Sequence, residues 1–348
     1  MRVSALSKCS LEPLRYGLLS LVTDMQRREF ITLLGGVAAT LDPIAAWAQE
    51  TGRKYRIGVL SFLSREATTI VATIDELRSF GLIEGQNLVV DERGYGRRAD
   101  EFLSIAMQLA ESRVDAIVAS GAPAIRAAQA ATRTIPIIGI ADDMVLEGHV
   151  RSLANHGGNT TGISILASDL DGKRLEILME LLPSARRIAV LADSSVQTPA
   201  ELQAHQNSWH ARGVDLSIHR IVTSEGIAPA LDTAKAAGVQ AINVLASPLL
   251  NGSSQTIFAK AIALRLPTIF QWPEGTKEGA LLAYGPSQTQ TFRQLGKLLG
   301  KVLRGADPGE LPVEQPTKFE LAVYLKTAKA IGVEVPSSLL LRADLVIE

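Results

Sequence analysis

The residues best placed to do chemistry follow short apolar runs. Ser120-Gly121-Ala122-Pro123 is the sharpest group: it ends one run and opens a helical segment. Free backbone N–H groups and the positive end of a helix dipole would then face a ligand. A carboxylate would fit there without any basic side chain, and an ordinary helix cap fits the same residues equally well. Asp142-Asp143 could neutralise an ammonium or serve as acid and base. Adjacent residues of an extended segment point to opposite faces, which argues against a catalytic dyad. One of them as an ammonium contact and both as solvated loop aspartates are the readings left. Ser61-Phe62, Asp193-Ser194, Ser247-Pro248-Leu249 and Gln271-Trp272 stand at equivalent places after other runs. The rings of Phe62, Trp272 and Tyr284 could cover a ligand or pack in a core.

Other chemistries lack their residues. The sequence has no Walker A loop and no Gly-x-Ser-x-Gly elbow. Gly94-Tyr95-Gly96-Arg97-Arg98-Ala99 imitates a dinucleotide fingerprint but follows the second apolar run rather than the first, and Asp100 after it reads as a helix N-cap. The five histidines form no ligand set; His205 and His210 miss the i, i+4 spacing of a helical metal pair. We expect no catalytic residue, no metal and no cofactor. The chain reads as a receptor that grips a ligand and releases it.

The elements that must position these groups alternate. β-rich runs at 56–60, 88–92, 116–119, 136–140, 187–191, 215–221, 241–245, 267–270 and 281–283 are separated by helical periodicity. Several runs are continuously apolar, as strands covered on both faces must be. Gly81, Gly213, Gly238 and Gly332 close helices just before the next segment. The pattern predicts an α/β fold of right-handed βαβ units, with two doubly wound parallel-sheet lobes joined by a multi-crossing hinge. The expected division is 49–162 plus 281–311 for lobe 1 and 163–280 plus 312–348 for lobe 2. A last helix is expected near 324–331.

The N-terminal segment carries a different message. Arg27-Arg28-Glu29-Phe30, a modest apolar stretch and Ala46-Trp47-Ala48 are the three parts of a twin-arginine-type signal peptide, with cleavage expected after Ala48. The stretch is shorter than the roughly 20 residues that span a bilayer. Met25 directly precedes the signal and competes with Met1 as the start. The single cysteine, Cys9, lies before it. A mature protein would then have no thiol, and with no cysteine at the cleavage site no lipid anchor is expected. Residues 1–48 take five of the 35 basic and four of the 36 acidic side chains, leaving a net charge of −2. That balance gives no reason to expect nucleic acid or an anionic membrane as partner. The expectation is a soluble, monomeric periplasmic protein.

Four segments together resemble the ABC-transporter substrate-binding family related to tryptophan/tyrosine-binding proteins. They are Arg27 to Gly36, Gly157-Gly158-Asn159-Thr160-Thr161-Gly162, Tyr284-Gly285-Pro286-Ser287, and the run from Leu311 to Leu321 continuing through Lys326-Thr327-Ala328-Lys329-Ala330 to Arg342-Ala343-Asp344. The resemblance implies a type I periplasmic-binding-protein fold with three crossings, ligand in the interlobe cleft and an ABC permease as partner. It also implies that a ligand carboxylate is held at helix starts, here Ser120 to Pro123 and Ser247-Pro248. The chain departs from the family at Asp193-Ser194-Ser195-Val196-Gln197-Thr198-Pro199, where many relatives have an Asn-Pro-rich loop. Phe62-Leu63 and Leu249-Leu250 make the cleft mouth apolar. Ligand identity therefore does not carry over. The expected function is binding of a small organic solute, amino-acid-like or aromatic, for import. The alternatives are a periplasmic sensor presenting solute to a chemoreceptor or kinase, and an exported α/β enzyme.

Overall fold

Apolar runs become the inner strands of two sheets. The computed structural model describes residues 53–154 and 157–348, and Lys54–Glu348 form one compact unit. The signal-peptide residues Arg27, Arg28, Phe30, Ala46 and Ala48 lie outside the described residues. In the first half, β1 (Tyr55–Leu60), β2 (Leu88–Asp91), β3 (Ala116–Ser120), β4 (Ile137–Ala141) and β5 (Thr160–Ser164) form a parallel sheet of order β2-β1-β3-β4-β5. β3, β4 and β5 are buried along their whole length. Helix α1 (Thr68–Glu76) covers one face, while α2 (Phe102–Glu111) and α3 (Ala122–Ala131) pair on the other.

β5 is an addition to the sequence-based expectation, which has no strand between 140 and 187. Its threonines can be buried because they are hydrogen-bonded: Gln129 donates to Thr160 Oγ1 at 3.0 Å, and Thr161 Oγ1 donates to the Leu311 carbonyl at 3.1 Å. Gly162 is needed for close approach, since a Cβ there would stand 1.9 Å from the Gly139 carbonyl oxygen of β4. Gly94, the first glycine of the apparent dinucleotide motif, serves packing in the same way: a Cβ would meet the Val59 carbonyl oxygen at 1.8 Å. Asp100 sits inside a short 3-10 turn, Ala99–Glu101, and is not the cap of the following helix.

The second half contains β6 (Arg187–Asp193), β7 (Asp215–Ile221), β8 (Ala241–Val244), β9 (Thr268–Phe270), β10 (Leu282–Gly285), β11 (Glu320–Tyr324) and β12 (Leu345–Ile347) in the order β7-β6-β8-β9-β10-β11-β12. All its pairings are parallel except β10 with β11. The helices of this stretch are α4 (Ala167–Leu181), α5 (Pro199–His210), α6 (Ile227–Ala236), α7 (Pro248–Gly252), α8 (Ser254–Ala263) and α9 (Gly275–Glu278). They are followed by α10 (Gln288–Leu303), α11 (Leu325–Ile331) and α12 (Ser337–Arg342). The four glycines expected to end helices all adopt positive φ, between 68° and 77°.

The chain passes between the halves three times. It leaves the first sheet after β5 for α4, and returns between β10 and α10, which packs against α1. It stays with the first sheet to Glu314, which bridges Ile163, and then enters β11. The expected division needs correction here, because residues 281–285 were assigned to lobe 1. Leu282 and Ala283 pair with Ile269 and Phe270, so β10 belongs to the second sheet. An apolar strand carries no mark of its partner; the short α9 connection places β10 beside β9. One apolar cluster runs from Val59, Val118 and Phe292 in the first half to Ala246, Phe270 and Trp272 in the second. The halves are thus joined through the floor of the region where the strand ends meet.

Candidate functional site

The carboxyl ends of β1, β3 and β4 face those of β6, β8 and β9 around a cavity of about 620 Å³, its open mouth included. Apolar walls with a few polar groups are the usual lining of a small-molecule site. The first half contributes Ser61-Phe62-Leu63, Ser120-Gly121-Ala122, Asp142 and Glu147. The second contributes Val196, Ala246-Ser247-Pro248, Asn251 and Gln271-Trp272, and the first turns of α10 add Gln288 and Phe292. Gly121 is the N-cap of α3 at φ 92°. A Cβ on it would lie 2.5 Å from Pro248 Cγ, so the two halves touch over the cavity and only glycine permits the contact.

Polar groups on the two sides are held differently. Ser61 Oγ accepts the Leu63 N–H at 3.0 Å. Asp143 Oδ1 accepts the N–H groups of Val145 and Leu146, both at 2.9 Å, and so caps its own turn. Glu147 accepts the Asp143 N–H at 3.2 Å with one oxygen and pairs with His149 Nε2 at 3.0 Å with the other. Opposite, Ser247 Oγ donates to Asp193 Oδ2 at 2.8 Å and accepts the Leu250 N–H at 3.0 Å. Gln197 accepts from Asp193 N–H and donates to the Ala246 carbonyl, tying the ends of β6 and β8 together. Gln271 is 3 % exposed, and its Oε1 is buried without a hydrogen-bond partner.

Charge around the cavity is acidic. An adjoining hollow of about 830 Å³ shares Ala122, Asp142, Glu147 and Val196 with it and adds Asp143, Asp169 and Glu201, with Arg126 as its basic group. Such a vestibule attracts an ammonium. Behind it, fully buried Arg174 pairs with Asp171 at 2.5 Å and donates from Nε to the Tyr284 carbonyl at 2.9 Å, linking α4 to the end of β10. Burial pushes the Asp171 carboxyl up to about 7, against the pull of Arg174 and with a contribution from Asp142. Nearby, Glu274 accepts from Ser287 Oγ and from the N–H groups of Gln288 and Thr289. The start of α10 is therefore already occupied by a carboxylate of the protein itself. Among the described residues, no group of three or more His, Cys, Asp and Glu side chains is arranged to hold a metal ion.

Comparison with known proteins decides the family. The sequence profile described as "ABC transporter substrate binding protein" matches residues 56–347. The chain belongs to that family. A tyrosine-binding protein of Clostridioides difficile is 30 % identical over 266 residues, spanning 75 % of each chain. The fold is that of a conserved domain protein from Vibrio cholerae, with a TM-score of 0.77 at 22 % identity over 84 % of this chain and 100 % of the other. An ABC domain from Streptococcus pneumoniae, solved in complex with L-Trp, superposes with a TM-score of 0.73 at 23 % identity over the same shares. The two-sheet architecture of this substrate-binding protein is that of type I periplasmic binding proteins.

The structure gathers many of the sequence-selected residues around the cavity. Ser61, Phe62, Ser120, Gly121, Ala122, Asp142, Ser247, Pro248, Gln271 and Trp272 all line it. Pro123 sits one residue further into α3, away from the lining. Asp143 borders the vestibule with its carboxylate committed to its turn. Asp193 stands behind Ser247, and Ser194 donates its N–H to the Ile221 carbonyl. Leu249 packs on the core, and the Tyr284 ring lies 6.5 Å from that of Phe319, outside the lining. Phe62 also packs edge-on against Phe102, ring centres 4.9 Å apart. Reading the sequence missed Glu147, Val196, Asn251, Gln288 and Phe292. The last two had a signal: Ser287 after Pro286 is a helix N-cap, and α10 starts directly after it at Gln288.

Proposed function

We propose that this substrate-binding protein captures a small organic solute, aromatic and amino-acid-like, in the cavity between its halves and delivers it to an ABC permease. The observation that carries this reading is the interlobe cavity itself, spanned by the Gly121–Pro248 contact. Its ends suit a zwitterion. The N-terminus of α3, with Ser120 beside it, can hold a carboxylate, and Asp142 can hold an ammonium. Phe62, Trp272 and Phe292 suit an apolar ring between them. Closure brings contacts from both halves onto one ligand, and that differential affinity shifts the population from open to closed. Asp193, Ser194, Leu249, Pro123, Asp143 and Tyr284 support the walls and crossings rather than touch the solute.

The L-Trp complex of the streptococcal domain and the tyrosine-binding clostridial relative support the choice of solute class. Two of the polar groups named above serve the wall itself: Ser247 caps its own helix, and Glu147 is held by its own loop. Calorimetry and thermal unfolding of the purified chain against the twenty amino acids and simple aromatic acids test the proposal. Micromolar binding of at least one aromatic amino acid is expected, with the ligand recovered unchanged. Turnover of a bound compound, or no stabilisation by any solute, would overturn it. Delivery happens outside the cytoplasm in this reading, after twin-arginine export and cleavage near Ala48. Replacing Arg27 and Arg28 by lysine should abolish export of the chain; unaltered export would remove that part.

A further inference from the structure

The carboxamide of Gln271 stands apart from the polar groups around it. Ser61, Ser247, Gln197 and Glu147 all have partners from the protein itself. Gln271 lines the cavity, is 3 % exposed, and leaves Oε1 buried and unpartnered. Asn243 in β8 also has an unpartnered side chain, but it is fully buried within the sheet and does not border the cavity. A buried acceptor without a donor destabilises the fold, and such groups persist where function uses them. At Gln271 alone of these two can a ligand supply the missing donor.

We propose that Gln271 sets selectivity by accepting a hydrogen bond from a hydroxyl or ring N–H at the apolar end of the ligand. Its surroundings fix which end that is. The carboxylates that line the cavity, Asp142 and Glu147, belong to the first half, whereas the second half lines it with Trp272, Ala246 and Pro248 and with the neutral polar groups of Ser247, Asn251 and Gln271. A ligand with its charged head at the first half presents its ring to this wall, and the edge of that ring meets the carboxamide. A ring bearing a donor relieves the unpaired Oε1; a plain phenyl ring buries it further. Because Gln271 belongs to the second half, the donor is read on closure, so selectivity resides in the closed state. The inference rests on the reading of the cavity as an aromatic-solute site.

Two matched ligand pairs test it on the full chain by calorimetry: L-tyrosine with L-phenylalanine, and L-tryptophan with its benzothienyl analogue, which lacks the ring N–H. The donor-bearing member of a pair should bind roughly tenfold to a hundredfold more tightly. In Gln271→Leu that preference should vanish through loss of the donor-bearing ligand's affinity alone, while the unliganded variant unfolds at a higher temperature than the parent. Gln271→Asn, which withdraws the amide by one methylene, should fall between. Equal weakening of both members in Gln271→Leu, or lower stability of the unliganded variant, would reduce the residue to a packing role and overturn the inference. Binding without any donor preference in the parent overturns it while leaving the proposed function intact. Binding of none of the four overturns both.

Discussion

On the first-half rim of the cavity, carboxylates border the space a ligand would enter, Glu147 being tied to its own loop as well. Asp142 and Glu147 line it, and α3 turns its N-terminus toward it. On the second-half rim, the polar groups are neutral or already paired: Asp193 occupies Ser247, Gln197 ties β6 to β8, and Glu274 fills the start of α10. The difference suggests a division of labour. Under the proposed function, the first half would recognise what ligands of this class share, an ammonium and a carboxylate. The second half would recognise what distinguishes them, through a wall that includes the unpaired Gln271 Oε1. A wall whose polar groups are satisfied internally needs no reorganisation when the halves meet.

The largest effect should come from the charged rim. Asp142→Asn keeps the shape and removes the charge facing an ammonium, and a charge-assisted hydrogen bond of this kind contributes about 1.5–3 kcal/mol. Affinity for an amino acid should fall roughly tenfold to a hundredfold by calorimetry, and binding of the deaminated acid should improve. Equal binding of both acids and amino acids by the parent would erase the proposed asymmetry. Next comes the contact between the rims. Gly121→Ala must adopt φ 92° and place Cβ 2.5 Å from Pro248 Cγ. The left-handed backbone alone costs about 1–2 kcal/mol, before the overlap is relieved by separating the halves. Affinity should drop about tenfold or more, with a larger radius of gyration of the liganded protein in X-ray scattering. An unchanged radius would mean that the contact does not govern closure.

A third test addresses the charge behind the rims. The Asp171 carboxyl rises from its ordinary value of 3.8 to about 7 because it is buried, and Asp142 adds to the shift while Arg174 opposes it. Between those values the folded protein holds a proton that the unfolded chain has lost, so stability should decrease as pH rises from about 4 to about 7 and then level off. A single group can tilt stability by at most about 1.4 kcal/mol per pH unit. The Asp171→Asn variant should lack this component. Thermal unfolding of the two proteins from pH 4 to pH 8 measures it as the change in their difference. A parent that gains stability relative to the variant over that window would show the Arg174 pairing to dominate instead.

Much of the fold was legible because inner strands announce themselves. Runs such as Ile117–Ala119 and Ile188–Leu191 are apolar throughout and buried on both faces. The site was legible to the same degree, because small and hydroxyl residues directly after such runs, as at Ser120-Gly121-Ala122, mark strand ends. What escaped depends on partners distant in sequence. β5 is threonine-rich and becomes a strand only because Gln129 and Leu311 satisfy it. β11 and β12 lie at the edge of the second sheet, and the sheet to which β10 belongs is set by β9 rather than by its own residues. The unpaired state of Gln271 is likewise a property of its packing, invisible in Phe270-Gln271-Trp272 as a string.

The smallest effect should be the most discriminating for the two rims. Ser247 stands at a helix start where the sequence resemblance implies a carboxylate contact, yet its hydroxyl donates to Asp193 and accepts the Leu250 N–H. Ser247→Ala removes an N-cap of a five-residue helix and leaves Asp193 Oδ2 without its donor. Stability should fall by about 1 kcal/mol, the usual contribution of such a cap. Affinity for the ligand should change by less than about threefold, because no hydrogen bond to the ligand is lost. Ser120→Ala provides the contrast, since Gly121 rather than Ser120 is the N-cap of α3 and Ser120 lines the cavity beside the helix start. It should weaken binding with little effect on unfolding. Should Ser247→Ala cost affinity and Ser120→Ala cost only stability, the carboxylate would belong to the second rim, and the charged head of the ligand would have to be turned around.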